Sequence, residues 1–229
     1  MEYQQALDAI LRANEGRIDI THLKAADIPT QLLRPYAEQR GLVQIAFKTY
    51  VSTTSKKHIL WHIQQTYPES IYSHETALYL HGMIPHEPPH INFTFCDFLS
   101  LPHLRKRNII ACRNNPEYHS IGETNMTIKR GQTIRVYDLE RTVLDIIKAR
   151  DQYEKGFDRE ILLDYLRRDD RKILRLQQYA REIRAIEPLT YLVRKNVCHK
   201  QWQRWINLER VEPVRRRKKE NQEQEKGLP

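Results

Sequence analysis

Between residues 83 and 90 the chain reads Met83-Ile84-Pro85-His86-Glu87-Pro88-Pro89-His90, a stiff segment that no helix can continue through. Whatever precedes it must stop, and whatever follows must start afresh. The stretch just before it, Tyr72-Ser73-His74-Glu75-Thr76-Ala77-Leu78-Tyr79-Leu80-His81-Gly82, carries both ends of a short helix in its own sequence. Ser73 suits the N-cap because its hydroxyl can accept from first-turn amides, and Glu75 complements the positive dipole end. Gly82 can take the left-handed conformation that closes the helix. His74, Ala77, Leu78 and His81 fall at i, i+3, i+4 and i+7, so two imidazoles flank an apolar pair on one stripe. Beyond the prolines, Ile91, Phe93 and Phe95 alternate with Asn92 and Thr94, which predicts a strand with one buried face.

Upstream, residues 3–13 place Ala6, Leu7, Ile10 and Leu11 at helical spacing, and Asn14 to Gly16 supply the stop. A second short helix is expected from Thr21 as N-cap to about Ala26, burying Leu23. A third, over residues 31–40, turns Leu32, Leu33 and Tyr36 or Ala37 inward. Pro35 conflicts with an uninterrupted helix there, so the helix either bends or starts near Arg34 with the proline in its first turn. After Gly41, residues 42–45 and 49–52 read as strands joined by Ala46-Phe47-Lys48. Three helices and a hairpin predict a winged helix-turn-helix, whose third helix enters the DNA major groove. Thr30, Gln31 and Arg34 are the candidates for the groove, with Arg40, Lys48 and Tyr50 for the DNA backbone. The bland alternative is a solvated helix face and strand end in a small bundle or protein-binding wing. Residues 1–50 hold six Lys/Arg against six Asp/Glu, whereas phosphate affinity normally needs excess cation.

Downstream, residues 56–66 predict a connecting helix with Ile59, Leu60 and Ile63 on one side, halted by Pro68. Arg105-Lys106-Arg107 is a basic cluster ahead of an apolar strand over 109–112, and residues 126–129 and 133–137 predict a hairpin across Arg130-Gly131. Asp138 caps the clearest helix: Leu139, Val143, Ile146 and Ile147 form its core stripe, while Glu140, Arg141 and Lys148 project elsewhere. Amphipathic helices follow over about 158–168 and 170–186, and Pro188 sets off a last helical stretch with Leu192, Val193 and Trp202. The end, from Arg215-Arg216-Arg217-Lys218-Lys219 onward, has almost no apolar residue and is expected to be a mobile tail. The expected fold class is α+β: an N-terminal winged helix-turn-helix followed by a mixed α/β C-terminal domain with a helical C-terminal extension. Its boundaries are expected at 1–54, 55–187 and 188–229.

Composition points to a soluble, cytoplasmic protein: mean hydropathy is −0.72, and no apolar run approaches the roughly 18 residues that span a bilayer. Three widely spaced cysteines, Cys96, Cys112 and Cys198, read as reduced, mostly buried thiols. The net charge of +9 suggests an anionic partner, and its excess lies in residues 101–229. Catalytic signatures are few. A zinc-protease helix needs its second histidine four residues after the first, where this chain has Leu78. His74 and His81 stand about 10 Å apart along a helix axis, too far to share a metal. His81, His86, His90 and Cys96 form a looser metal candidate whose spacing fits no ligand pattern, and polar loop residues beside prolines explain them equally. Asp138, Glu140 and Asp145 share a helix, but capping and pairing with Arg141 or Arg135 accounts for them first. No phosphate-cradling glycine loop occurs.

Two stretches carry a resemblance. The residues Tyr72 to Gly82 and Arg135-Val136-Tyr137-Asp138-Leu139-Glu140-Arg141-Thr142 resemble the two signature stretches of the AbiEi family, antitoxins and transcriptional regulators of type IV toxin–antitoxin pairs linked to phage defence. The N-terminal segment is also similar to that family's winged helix, through Gly41 and Tyr50, although the family usually has a glycine where this chain has Lys48. The resemblance covers about residues 3–186. It implies a non-enzymatic protein, needing no cofactor or metal, that binds inverted repeats in double-stranded promoter DNA, a monomer in solution that binds DNA cooperatively and represses its operon. It further implies that the second domain counteracts a nucleotidyltransferase-like toxin, directly or indirectly, with Ser73, His74, His81, Arg135, Asp138 and Arg141 as motif residues. Two other classes remain open at this point: a metal-dependent nucleic-acid-processing enzyme, and a protein-binding adaptor that never touches DNA.

Overall fold

A computed structural model describes residues 2–52, 56–96, 104, 108–128 and 131–207, and the side chains of Glu2 and of residues 56–58 are outside that description. The Arg105-Lys106-Arg107 cluster, Arg130 and the charged tail therefore lie outside the described residues. The molecule is α+β. It divides into two compact units, one built from Met1–Tyr72, Pro89–Asn115 and Glu123–Val136, the other from Ser73–Pro88, Pro116–Gly122 and Tyr137–Pro229.

The first unit opens with α1 (Glu2–Ala13), β1 (Arg17–Asp19), α2 (Ile20–Ala25), a 3-10 turn (Thr30–Leu32), α3 (Leu33–Gln39), β2 (Val43–Ala46) and β3 (Thr49–Val51). The three strands form an antiparallel sheet in the order β1-β3-β2. Leu7, Ile18, Leu23, Ile28, Leu33, Tyr36, Ala37 and Tyr50 make one buried cluster, so all three helices pack over that sheet by their apolar stripes. β1 has no sequence signal, because three residues are too few to show alternation. The N-cap of α2 is Asp19 rather than Thr21: the carboxylate accepts from the Thr21 and His22 amides, and the His22 ring returns a bond to the Asp19 amide. That reciprocal pairing satisfies three amide donors at once, with His22 Nδ1 accepting from the Asp19 amide, which a Thr21 hydroxyl could not do. Pro35 stands in the first turn of α3, where a missing amide hydrogen costs no helix bond.

After α4 (Lys56–Thr66) the same unit holds a five-stranded mixed sheet made of β4 (Ile71–Tyr72), β5 (Ile91–Phe95), β6 (Ile109–Arg113), β7 (Glu123–Thr127) and β8 (Thr133–Tyr137), in the order β6-β5-β4-β8-β7. β5 runs antiparallel to β4 and parallel to β6, and β4 runs parallel to β8. Asn92 and Thr94 are both 3% exposed, so β5 buries both faces, not one. It is an interior strand with a hydrogen-bonded neighbour on either side, so its alternation separates apolar from polar side chains that are both buried.

The second unit is mostly helical: α5 (His74–Leu80), α6 (Pro116–His119), α7 (Leu139–Lys148), α8 (Phe157–Arg167), α9 (Ile173–Glu182), α10 (Ile186–Asn196) and a last helix α11 over 199–207. α7 is its centre, in contact with α5, α8, α9 and α10. Val143, Leu144, Ile146 and Ile147 of α7 meet Leu78, Leu162, Tyr165, Leu176 and Leu189 in the core. The helix expected over 170–186 ends at Glu182 because Arg184 takes a left-handed φ of +58°, and Pro188 falls in the first turn of α10 instead of before it. Glu140 and Arg141, expected to project from α7, are 3% and 2% exposed. Among the described residues no helix is long and apolar enough to cross a membrane. The three cysteines are free; Cys198 is exposed and the other two half-buried, which corrects the expectation of mostly buried thiols.

Candidate functional site

The candidate groove residues occupy one short stretch. Thr30 is half-buried in the 3-10 turn, Gln31 beside it is exposed, and Arg34 projects from the first turn of α3. The Arg34 Nε donates to Glu38 Oε1 at 2.8 Å, with 80% and 64% of the two side chains exposed. This pair, one turn apart, raises the guanidinium above its ordinary range, chiefly through the hydrogen bond and the charge of Glu38. An exposed pair of this kind is weak because water and salt screen both charges, so an anion displaces it readily. Arg40 is held differently. It is paired with Asp8 of α1, whose other oxygen accepts from the Tyr36 hydroxyl at 2.7 Å. Burial first, and then that carboxylate, push the Tyr36 phenol up to about 12. Asp8 was not legible as a partner, since nothing in sequence ties α1 to α3.

The β2–β3 hairpin turns at Phe47 and Lys48. Phe47 is the most exposed large apolar side chain described in this unit, at 74%, and Lys48 Nζ lies 5.6 Å from its ring centroid. Lys48 adopts a φ of +48°, a conformation that glycine takes without strain. Tyr50 is 9% exposed and belongs to the core cluster, which leaves its ring unavailable as a broad surface contact.

The motif residues are set up by a second arrangement. Asp138 caps α7, its Oδ1 accepting from the Arg141 amide at 2.9 Å. The Arg141 side chain is buried. Its Nη1 donates to the carbonyls of Tyr118 and Ile121 at 2.7 Å each, its Nε donates to Asp145 Oδ1 at 3.0 Å, and its guanidinium lies 4.1 Å from the Tyr137 ring centroid. The Tyr137 hydroxyl donates to the carbonyl of His119 at 2.7 Å, and the Asp138 amide donates to that of Gly122 at 2.7 Å. A Cβ on Gly122 would stand 2.4 Å from Arg141 Cβ, so only glycine fits between the 116–122 segment and α7. Arg141 thus clamps that segment onto the helix, and its charge is met within the fold. Asp145 Oδ2 is buried without a hydrogen-bond partner among the described residues.

Around this clamp several groups are shifted. Burial raises the Asp138 carboxyl, against the Arg141 amide, Arg175 and the Tyr179 hydroxyl, which all favour its charge. Burial also raises Glu140, whose Oε1 accepts from the Tyr165 hydroxyl at 2.8 Å. His81 and His74 are both lowered, chiefly by burial. His81 Nε2 donates to the carbonyl of Tyr137 at 2.7 Å, fixing α5 against the start of α7. Ser73 stands at the N-cap position of α5 but forms no cap bond; its hydroxyl meets His74 Nδ1 at 2.9 Å. His74 has a φ of +49°, which draws the first turn out of line with that hydroxyl. Gly82 does close the helix, at φ +69°, with its amide bonded to Tyr79 and that of Met83 to Leu78. Arg135 belongs to the other unit, where its Nε is bonded to Glu123 and its Nη1 to the carbonyl of Pro68. Among the described residues no group of three or more His, Cys, Asp or Glu is placed to hold a metal ion, so His81, His86, His90 and Cys96 do not converge.

The residues that sequence reasoning missed are the ones Arg141 holds: Tyr118, Ile121 and Gly122. Their roles are carried by backbone carbonyls and by an absent Cβ, neither of which leaves a side-chain signature. No family model and no curated protein matches the chain. Among solved structures, the chain is similar to the RV2827C protein from Mycobacterium tuberculosis, with a TM-score of 0.59 and 12% identity over 86% of this chain and 78% of that one. At that identity the likeness is one of fold.

Proposed function

We propose that the chain is a cytoplasmic DNA-binding repressor and antitoxin of a type IV toxin–antitoxin pair. Residues 1–54 act as a winged helix-turn-helix on inverted repeats in promoter DNA, and the motif-bearing remainder opposes a nucleotidyltransferase-like toxin. The observation that carries the DNA-binding part is the surface formed by Gln31 and Arg34 on the turn into α3, followed in the same unit by a hairpin whose tip exposes Phe47 beside Lys48. Arg34 at the start of α3 and Gln31 in the turn before it present a guanidinium and an amide, the two side-chain types that read guanine and adenine edges bidentately. The weakness of the Arg34–Glu38 pair supports its exchange for a phosphate or base. The antitoxin part rests on the Tyr72–Gly82 and Arg135–Thr142 resemblance, in which Asp138, Arg141 and His81 act by building the fold and not by reacting.

A gel shift on DNA upstream of the gene tests this. Binding should weaken with salt by about 0.9 log units per log unit for each phosphate contact, and Arg34→Ala with Lys48→Ala should abolish it at moderate salt. Undiminished binding by that double variant would remove the assigned surface; no binding by the full chain would remove the repressor reading.

A further inference from the structure

The last two helices of the second unit carry a feature that the repressor reading leaves unused. Residues 186–207, which span both helices, contain four Lys or Arg against a single acid, Glu187. None of those cations, Arg194, Lys195, Lys200 and Arg204, forms an ion pair among the described residues. Between α10 and α11 lies a pocket of about 320 Å³, within the roughly 300–1,000 Å³ of ordinary ligand sites.

Its walls and rim differ in chemistry. Val193 and Trp202 give it an apolar interior, the side-chain amides of Gln177 and Gln203 add donors and acceptors, and Arg194 and His199 supply cationic and N–H groups. His199 also stands in the first turn of α11, where free backbone amides favour an anion. A flat apolar body with polar edges and an attached phosphate matches all three surfaces. Next to the pocket on α10, Tyr191 is 55% exposed with Lys195 Nζ 5.7 Å from its ring centroid, a face on which a further base could stack.

We propose that this pocket binds a nucleotide, its base edge-on against the apolar wall that Val193 and the rim of Trp202 present and between the two amides, its phosphate on Arg194 and His199. The nucleotide is either free or one unit of a single strand whose neighbouring base lies on Tyr191. The site shares no residue with the duplex-reading surface, so the two assignments stand or fall separately.

Isothermal titration of the full chain with nucleoside 5′-monophosphates and with a single-stranded hexanucleotide tests it. Saturable binding is expected, weaker by about tenfold or more for the matching nucleoside without phosphate, as loss of a charge-assisted contact requires. Arg194→Glu should weaken it by at least about tenfold, and Thr190→Phe, which fills the pocket without changing charge, should do the same. Both residues leave the core intact, and an unchanged unfolding midpoint checks that. Tighter binding of the hexanucleotide, reduced by Tyr191→Ala while mononucleotide binding is unaffected, identifies the strand as source; equal binding identifies the free nucleotide. Absence of saturable binding to every one of these probes overturns the proposal. So does wild-type affinity in both variants, or tighter binding of decanoate, which would make the pocket a site for an apolar acid.

Discussion

Gly122 and Gly82 both have positive φ, at +80° and +69°, yet they are fixed by different forces. Around Gly82 nothing lies within 4 Å of an added Cβ, so Gly82→Ala meets only the left-handed backbone penalty, about 1–2 kcal/mol. Gly122→Ala adds a 2.4 Å clash with the Cβ of Arg141, a side chain pinned at three points, and overpacking of that kind costs about 1–3 kcal/mol more. Thermal unfolding should place the Gly122→Ala midpoint well below that of Gly82→Ala; equal midpoints would mean that the clamp yields. The first glycine is legible in sequence because it ends a helix that the sequence announces. The second is not, since its constraint comes through space from Arg141. Lys48 poses the opposite case: at φ +48° it occupies a position where glycine is unstrained. Lys48→Gly should therefore raise stability by about 1 kcal/mol while weakening DNA binding and flattening its salt dependence by about one phosphate contact. A variant that gains stability and binds DNA as before would remove Lys48 from the interface.

α7 and the 116–122 segment are held together by Arg141, and the physics of that link differs from an ordinary helix contact. Arg141→Met removes the charge but leaves Asp145 buried beside it and strips the Tyr118 and Ile121 carbonyls of their donor. Breaking one side of a buried pair costs about 3–5 kcal/mol. Replacing both, as Arg141→Met with Asp145→Leu, should recover part of that loss, because no uncompensated carboxylate remains; a double variant as unstable as the sum of the single ones would show that Asp145 contributes nothing to the clamp. At this scale the sequence is readable where periodicity is long. α1, α4, α7 and α8 follow their apolar stripes to within about two residues. It fails where partners are distant or elements short: the three-residue β1, the buried polar side of β5, and the buried Glu140 and Arg141 on what reads as the outer face of α7. Of the candidate site, the exposed Gln31 and Arg34 are visible from spacing, whereas the pairing of Arg40 with Asp8 and the burial of Tyr50 depend on which elements meet.

For the molecule as a whole, the distribution of shifted groups sets how stability follows pH. His74 and His81 are both lowered from an ordinary 6.5 by burial, so the folded chain favours their neutral forms. Their contribution is complete above 6.5 and is lost as pH falls through that value toward their folded range. Asp138 and Glu140 act in the opposite sense. Raised by burial from 3.8 and 4.5, they bind protons more readily when folded, and their contribution grows as pH falls toward that lower window. The two histidines thus dominate the upper part of the acid range, and the unfolding midpoint should decline on going from about pH 7.5 to about pH 6. His81 bears on this most directly, because its Nε2 already donates to the Tyr137 carbonyl and a second ring proton would sit on Nδ1 in a largely buried setting. In His81→Gln an amide can keep that donation without titrating, so the decline should be shallower while the midpoint near pH 7.5 changes little. A decline as steep in His81→Gln as in the parent chain would assign the acid sensitivity to other groups, and a His74→Gln variant measured alongside would show whether α5 carries it at its other end.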